Sequence, residues 1–283
     1  MKSPARRVTC KLLLLGVSLP FFKPNQAMND SIVTLDELAG EYNGGRGPGL
    51  TARLIVRADG RFDWKRAYFY PGSDAGIPFA ASGRLVPDGA GAFAVHLDPD
   101  THYPPGSLPP RLHAVRTSKF IVLLADGSVN AIINMINGGG QLPRTTNLSG
   151  FLHRLLPGAT ERDAKSINRM LLVPKRFANR ILPAPLQGKV LSVEEISVTK
   201  TNISEPMMEP VWQMVHLSRL MVDLGSQQGV FEGMELYVGE SQRRMEGTVK
   251  RVMADRCEMH FEWADGYGPP KVGDPVSSRY GAF

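Results

Sequence analysis

Thr51-Ala52-Arg53-Leu54-Ile55-Val56-Arg57-Ala58-Asp59-Gly60-Arg61-Phe62-Asp63-Trp64-Lys65-Arg66-Ala67-Tyr68-Phe69-Tyr70 contains two alternating stretches separated by an Asp-Gly pair. Phe62, Trp64, Tyr68 and Tyr70 fall at even spacing, which in an extended chain places them on one face of a strand. Asp59-Gly60 supplies the residue types that tolerate the positive φ angles of a tight hairpin. The stretch therefore reads as a β-hairpin with one buried face.

Moving outward, Asp88-Gly89 and Asp126-Gly127 also sit between apolar runs, so three hairpins are expected. Strands are predicted at 52–56, 62–70, 83–86, 92–97, 112–116, 120–124, 129–136 and 150–155. About eight antiparallel strands fit a barrel or a sandwich. Thr34 is placed to cap a short helix ahead of Gly40, and Gly138-Gly139-Gly140 reads as a flexible hairpin. Residues 158–185 hold six cations (Arg162, Lys165, Arg169, Lys175, Arg176, Arg180) against Glu161 and Asp163, and read as a connector with a short helix at 164–173. Few aromatics interleave with those cations, so ordinary surface charge is expected there over a phosphate-binding patch. Strands at 190–198, 214–224, 234–238, 248–253, 257–263 and 276–279 then form a second, smaller barrel. The fold class is mainly β: two antiparallel β domains, at 30–157 and 186–283, joined by a partly helical connector at 158–185. Each domain is expected to keep its own core if the connector is cut.

The 283 residues suffice for about two domains. Hydrophobic residues at 42% and charged residues at 21% exclude a disordered chain, and 29 glycines with 22 prolines favour turn-rich β structure. Residues 1–27 carry Lys2, Arg6, Arg7, Lys11 and Lys23 with no acid, followed by an apolar run from Leu12 to Phe22 and a polar segment ending at Ala27. That order is the order of a secretory signal peptide. The run is shorter than the ~20 residues that span a bilayer as a helix, so no mature transmembrane span is expected. Outside the signal the chain has 28 basic and 27 acidic residues. Such a balance cannot supply a large counterion-release term, so nucleic acid is not an expected partner. A periplasmic or secreted location follows, with Cys257 as the lone cysteine of the mature chain and a buried hydrophobe rather than a thiol catalyst paired with His260.

Leu224-Gly225-Ser226-Gln227-Gln228-Gly229-Val230-Phe231-Glu232-Gly233-Met234-Glu235-Leu236, then Gly247-Thr248-Val249 and Val272-Gly273-Asp274-Pro275-Val276, resemble the small SH3-like barrel modules of bacterial cell-envelope proteins. The C-terminal domain of the flagellar assembly protein T and the β domains of the rod-shape protein C are of this type. The resemblance covers residues 215–280 and implies an assembly or binding module with no catalytic residues. Leu38-Ala39-Gly40-Glu41-Tyr42 more weakly resembles the Gly-x-aromatic start of a lipocalin-like barrel, with Tyr42 where lipocalins usually have tryptophan. It implies a barrel over residues 34–155 able to hold a small apolar ligand.

Chemistry-bearing patterns are sparse. Asp98, Asp100 and His102 alternate on a loop and are weak metal candidates, because calcium wants six to eight oxygens and zinc three or four placed ligands. Trp64, Arg66, Tyr68 and Tyr70 are the ligand-binding candidates, as a carbohydrate or peptide platform. No nucleophile elbow, zinc-ligand pair or phosphate loop is present, and no cofactor is implied. The expectation is an exported, non-enzymatic bacterial envelope protein that binds an envelope partner. A ligand-binding lipocalin-like barrel and a hydrolase with a non-local constellation are the alternatives.

Overall fold

The computed structural model describes residues 33–47, 50–68, 77–89, 91–99, 101, 109–139, 152–160, 162–163, 172–202, 209–239, 245–264 and 268–279. It is a mainly β protein with two closed antiparallel barrels. The first is opened by α1 (Leu35–Leu38) and built from β1 (Gly40–Gly47), β2 (Leu50–Val56), β3 (Arg61–Tyr68), β4 (Ile77–Pro87), β5 (Ala92–Leu97), β6 (Arg111–Arg116), β7 (Phe120–Ala125) and β8 (Leu152–Leu155). Each strand pairs with the next, and β8 closes the ring on β1 through Asn43 opposite His153. The second contains β9 (Gln187–Asn202), β10 (Trp212–Val222), β11 (Glu235–Val238), β12 (Met245–Val252), β13 (Cys257–Ala264) and β14 (Pro275–Ser277), in the order β10-β13-β12-β11-β14-β9.

The expected strands form except that β1, which was not among them, takes the place of the one expected at 129–136; the hairpin at Asp59-Gly60 forms with Gly60 at φ 82° and the Asp59 carboxylate accepting the Arg61 amide at 2.9 Å. Thr34 caps α1 in a reciprocal box with Glu37. Arg154 on β8 then ties α1 to the barrel floor, donating to the carbonyls of Glu37 and Ala39 while its guanidinium lies 5.6 Å from the Tyr42 ring. Tyr42 in turn donates to the Leu38 carbonyl at 2.9 Å, and burial raises its phenol above the ordinary tyrosine range.

The expectations for residues 126–139 are overturned. Residues 129–136 are not a strand, and Asp126-Gly127 is not a hairpin turn: both belong to a 12-residue helix, α2 (Asp126–Asn137), which ends at Gly138 and Gly139. The cause lies in the neighbour. β7 reads Phe-Ile-Val-Leu-Leu-Ala and all six residues are buried, so it is apolar on both faces, the mark of a strand covered on both sides. Ile121 and Leu123 face the barrel core, whereas Phe120, Val122 and Leu124 face outward and join a separate cluster with Val129, Ile132, Ile133 and Leu172. A strand over 129–136 would present alternate residues to that surface. A helix instead presents Val129, Ile132, Ile133 and Ile136 together, each full burial contributing about 1.5–3 kcal/mol.

The connector is also more buried than a solvated link. Leu172 is 3% exposed, a 3-10 turn spans Lys175–Arg180, and Phe177 packs on the α2 cluster. The helix expected at 164–173 falls almost wholly outside the described residues. Of the cations, Arg180 lies between two rings, 4.8 Å from Phe177 and 5.0 Å from Phe231. In the second barrel, Gly233 has φ 84°, as its turn position required, and Asp274 accepts the Lys271 amide at 2.8 Å at the turn before Pro275.

Candidate interaction surface

β9 and β10 are 16 and 11 residues long, against four for β11 and three for β14. β9 pairs with β14 only over Gln187–Lys189 and with β10 along nearly its whole length. Glu194 to Asn202 are all exposed; β13 flanks β10 as far as Val215 opposite Ala264, and beyond it Lys200–Asn202 and Trp212–Met214 run on as a two-stranded ribbon. Its composition suits this: Val, Ile and Thr hold an extended backbone, while Ser, Glu and Lys carry the solvent contacts. Register shifts against β10 leave Leu191 and Ile196 as extra residues. Such bulges twist an edge strand and hinder sheet-to-sheet addition along it. The ribbon is therefore built to offer faces rather than an edge.

β10 alternates without a break, so Leu220 and Val222 of the barrel core share a face with Ser218, His216, Met214 and Trp212 further out. At the ribbon base, His216 stacks on Trp263 with centroids 3.8 Å apart and planes at 10°, and its Nδ1 lies 3.0 Å from the Glu195 carboxylate. The Trp263 indole donates to the Ser218 hydroxyl at 3.2 Å. On the opposite face Arg219 bridges Glu194 at 3.2 Å and Glu258 at 3.4 Å. The base is knitted, whereas further out the exposed Trp212 ring stands among polar Thr199, Lys200, Thr201 and Asn202. Among the described residues nine large hydrophobic side chains are exposed, and five of them (Leu191, Ile196, Val198, Val211, Trp212) lie on the ribbon or beside it. Trp212 is 55% exposed, with the Lys200 ammonium 5.4 Å from its ring centre. These side chains are spread along β9 and the start of β10, with Trp212 the largest of them.

The sequence-predicted residues fall elsewhere. Trp64 is 5% exposed in the first barrel's core, packed with Leu54, Phe62 and Leu85, and is a packing residue instead of a surface platform. Arg66 and Tyr68 continue β3 opposite Phe79 and Ile77, and Tyr70 lies outside the described residues. The first barrel is filled: Leu54, Phe62, Trp64, Leu85, Val95, Pro109, Leu112 and Leu152 leave about 10 Å³ between them. That is space for about one water, far below the ~300 Å³ at which small-ligand pockets begin. Asp98 accepts a hydrogen bond from Ser82 at 2.7 Å at a strand end, while Asp100 and His102 lie outside the described residues. Among the described residues no group of three or more His, Cys, Asp or Glu side chains is placed to hold a metal ion.

Two titratable groups bear on chemistry. Cys257 is fully buried, and burial with the nearby Asp223 charge pushes its thiol up to about 12, so it is held as the unreactive thiol at neutral pH. His113 on β6 is 1% exposed, with Nε2 against the Asp126 carboxylate at the start of α2, 3.4 Å from an Arg176 nitrogen, and the ring edge-on to Phe177 at 5.2 Å. This contact pins α2 and the connector to β6. The signal for the ribbon was legible in part, as a strand at 190–198 and another at 214–224. Their excess length over partner strands was not, because pairing partners are a tertiary property.

Glu235 opens β11 in a half-buried position, where burial first and the neighbouring Glu246 second raise its carboxyl above 4.5. A carboxyl raised on folding makes the folded state bind more protons, so stability falls as pH rises through the window above 4.5. Glu235→Gln is therefore expected to raise the melting temperature at pH 7 and to leave it nearly unchanged at pH 4. Equal effects at both pH values would remove the titration of Glu235 as the cause.

Comparisons with protein family models, curated proteins and solved structures return no match for this chain.

Proposed function

We propose that this chain is an exported, non-enzymatic protein of the bacterial cell envelope that works by binding or assembly, with the β9–β10 ribbon as its contact surface. The observation that carries the reading is the exposed apolar side chains of β9 and the start of β10, Trp212 foremost. The export half rests on the basic, apolar, polar order of residues 1–27. The filled interior of the first barrel supports contact over ligand storage there.

The test is a photo-crosslinking amino acid placed at position 212 and, as a control, at Lys65 on the first barrel, in cells that export the protein. A single discrete adduct at 212 that is absent at 65 is expected, on chains whose N-terminus begins after Ala27. Adducts of equal yield at both positions, or none at 212, would overturn the ribbon as the contact surface. Exported chains that retain Met1 would overturn signal cleavage.

A further inference from the structure

We infer that α2 is a splint: the carboxamides of Asn134 and Asn137 clamp the main chain of the second barrel and of the connector, holding the two barrels at one fixed orientation. Asn130, Asn134 and Asn137 stand at spacings of four and three residues and so share one side of the helix, while Val129, Ile132 and Ile133 are buried against β7. Asn134 donates through Nδ2 to the Gly233 carbonyl at 2.9 Å and accepts through Oδ1 from the Glu235 amide at 3.2 Å. Asn137 repeats the pattern on the connector, donating to the Arg180 carbonyl at 3.0 Å and accepting from the Leu182 amide at 2.9 Å.

In both cases one amide takes the carbonyl of a residue and the N–H of the residue two further on. A strand residue binds its parallel neighbour in this way. Each asparagine therefore substitutes for a piece of strand, and both are nearly buried, at 6% and 7% exposure. The consequence is directional. Apolar contact tolerates sliding, but a two-point amide clamp loses both bonds when the partner chain moves by one residue. Asn130 adds a third point, accepting from the Arg180 guanidinium at 2.9 Å, and that guanidinium sits between Phe177 of the connector and Phe231 of the second barrel. Phe231 itself packs on the α2 cluster. Each barrel has its own core, but separation would also strip the α2 cluster on which Phe177 and Phe231 pack, so the second barrel and its ribbon are carried at one angle to the first, and the independent halves expected from the sequence give way to joint melting.

The test is a distance measurement between spin labels at Lys65→Cys and Lys250→Cys, both exposed positions on different barrels, in a chain carrying Cys10→Ser. Cys257 is buried and takes no label. A single narrow distance distribution is expected, together with one calorimetric transition for the whole chain. Asn134→Asp with Asn137→Asp keeps side-chain size and the acceptor but sets an oxygen against the Gly233 and Arg180 carbonyls. That pair should broaden the distribution at least twofold while the far-ultraviolet dichroism of the barrels persists. A broad distribution in the unaltered chain, two well-separated transitions in it, or an unchanged width in the Asp pair would each overturn the splint. If the Asp pair does not fold, the width and the transition count of the unaltered chain decide the matter alone.

Discussion

Ile132→Asp is expected to cost about 4 kcal/mol of stability, because it places a carboxylate where no water and no cation reach. Ile132 is fully buried between α2 and the outer face of β7, in a cluster with Val122, Leu124 and Val129. Ile132→Val, which removes one methylene, should cost only about 0.5–1.5 kcal/mol. Urea unfolding followed by circular dichroism measures both. A loss below about 1 kcal/mol for the aspartate variant would mean that α2 does not cover β7. The cost should also appear in the second barrel's tryptophan signal, since Phe231 and Arg180 rest on the same cluster.

The second large effect is steric. Gly83 on β4 lies opposite Leu97 on β5, and a Cβ at Gly83 would stand 2.1 Å from the His96 carbonyl oxygen and 3.0 Å from the Leu97 Cα. Both are backbone atoms, so the strands themselves must separate to admit a side chain. Gly83→Val is expected to cost about 3 kcal/mol, and Gly83→Ala most of that, since the clash begins at the first carbon. Gly89 provides the contrast: its φ is +69° but nothing lies within 4 Å of its Cβ position, so Gly89→Ala should cost only about 1 kcal/mol of backbone strain. Thermal melts of the three variants separate close approach from dihedral preference. If alanine at 83 is no worse than alanine at 89, the β4–β5 packing described above is incorrect.

The rigid junction and the ribbon together describe how the chain would work. A contact surface on a projecting two-stranded ribbon is useful to an assembly only if its direction is set, and the ribbon base is set twice. Stacking of His216 on Trp263 and the Arg219 bridges fix it to the second barrel, and the α2 carboxamides fix that barrel to the first.

By itself the sequence determined nearly every strand of both barrels, because half-buried strands write a period of two and their turns demand Asp-Gly or glycine at positive φ. Thr34 announced α1 for the same kind of local reason, a cap satisfied within four residues, to which the structure adds the reciprocal bond from Glu37. Where a segment's surroundings decide its form, local reading ran out. Residues 126–137 carry three isoleucines, which suit a strand, and three asparagines, which favour neither form. Only the apolar outer face of β7 selects the helix, and only a neighbouring barrel gives Asn134 and Asn137 main-chain groups to bind. Trp64 likewise sits on the face that alternation assigned it, yet whether that face enclosed a ligand space or a packed core depended on eight strands closing around it. Barrel closure, the filled interior, the overlong ribbon and the splint all depend on which distant residues meet, and for these the tertiary structure decided.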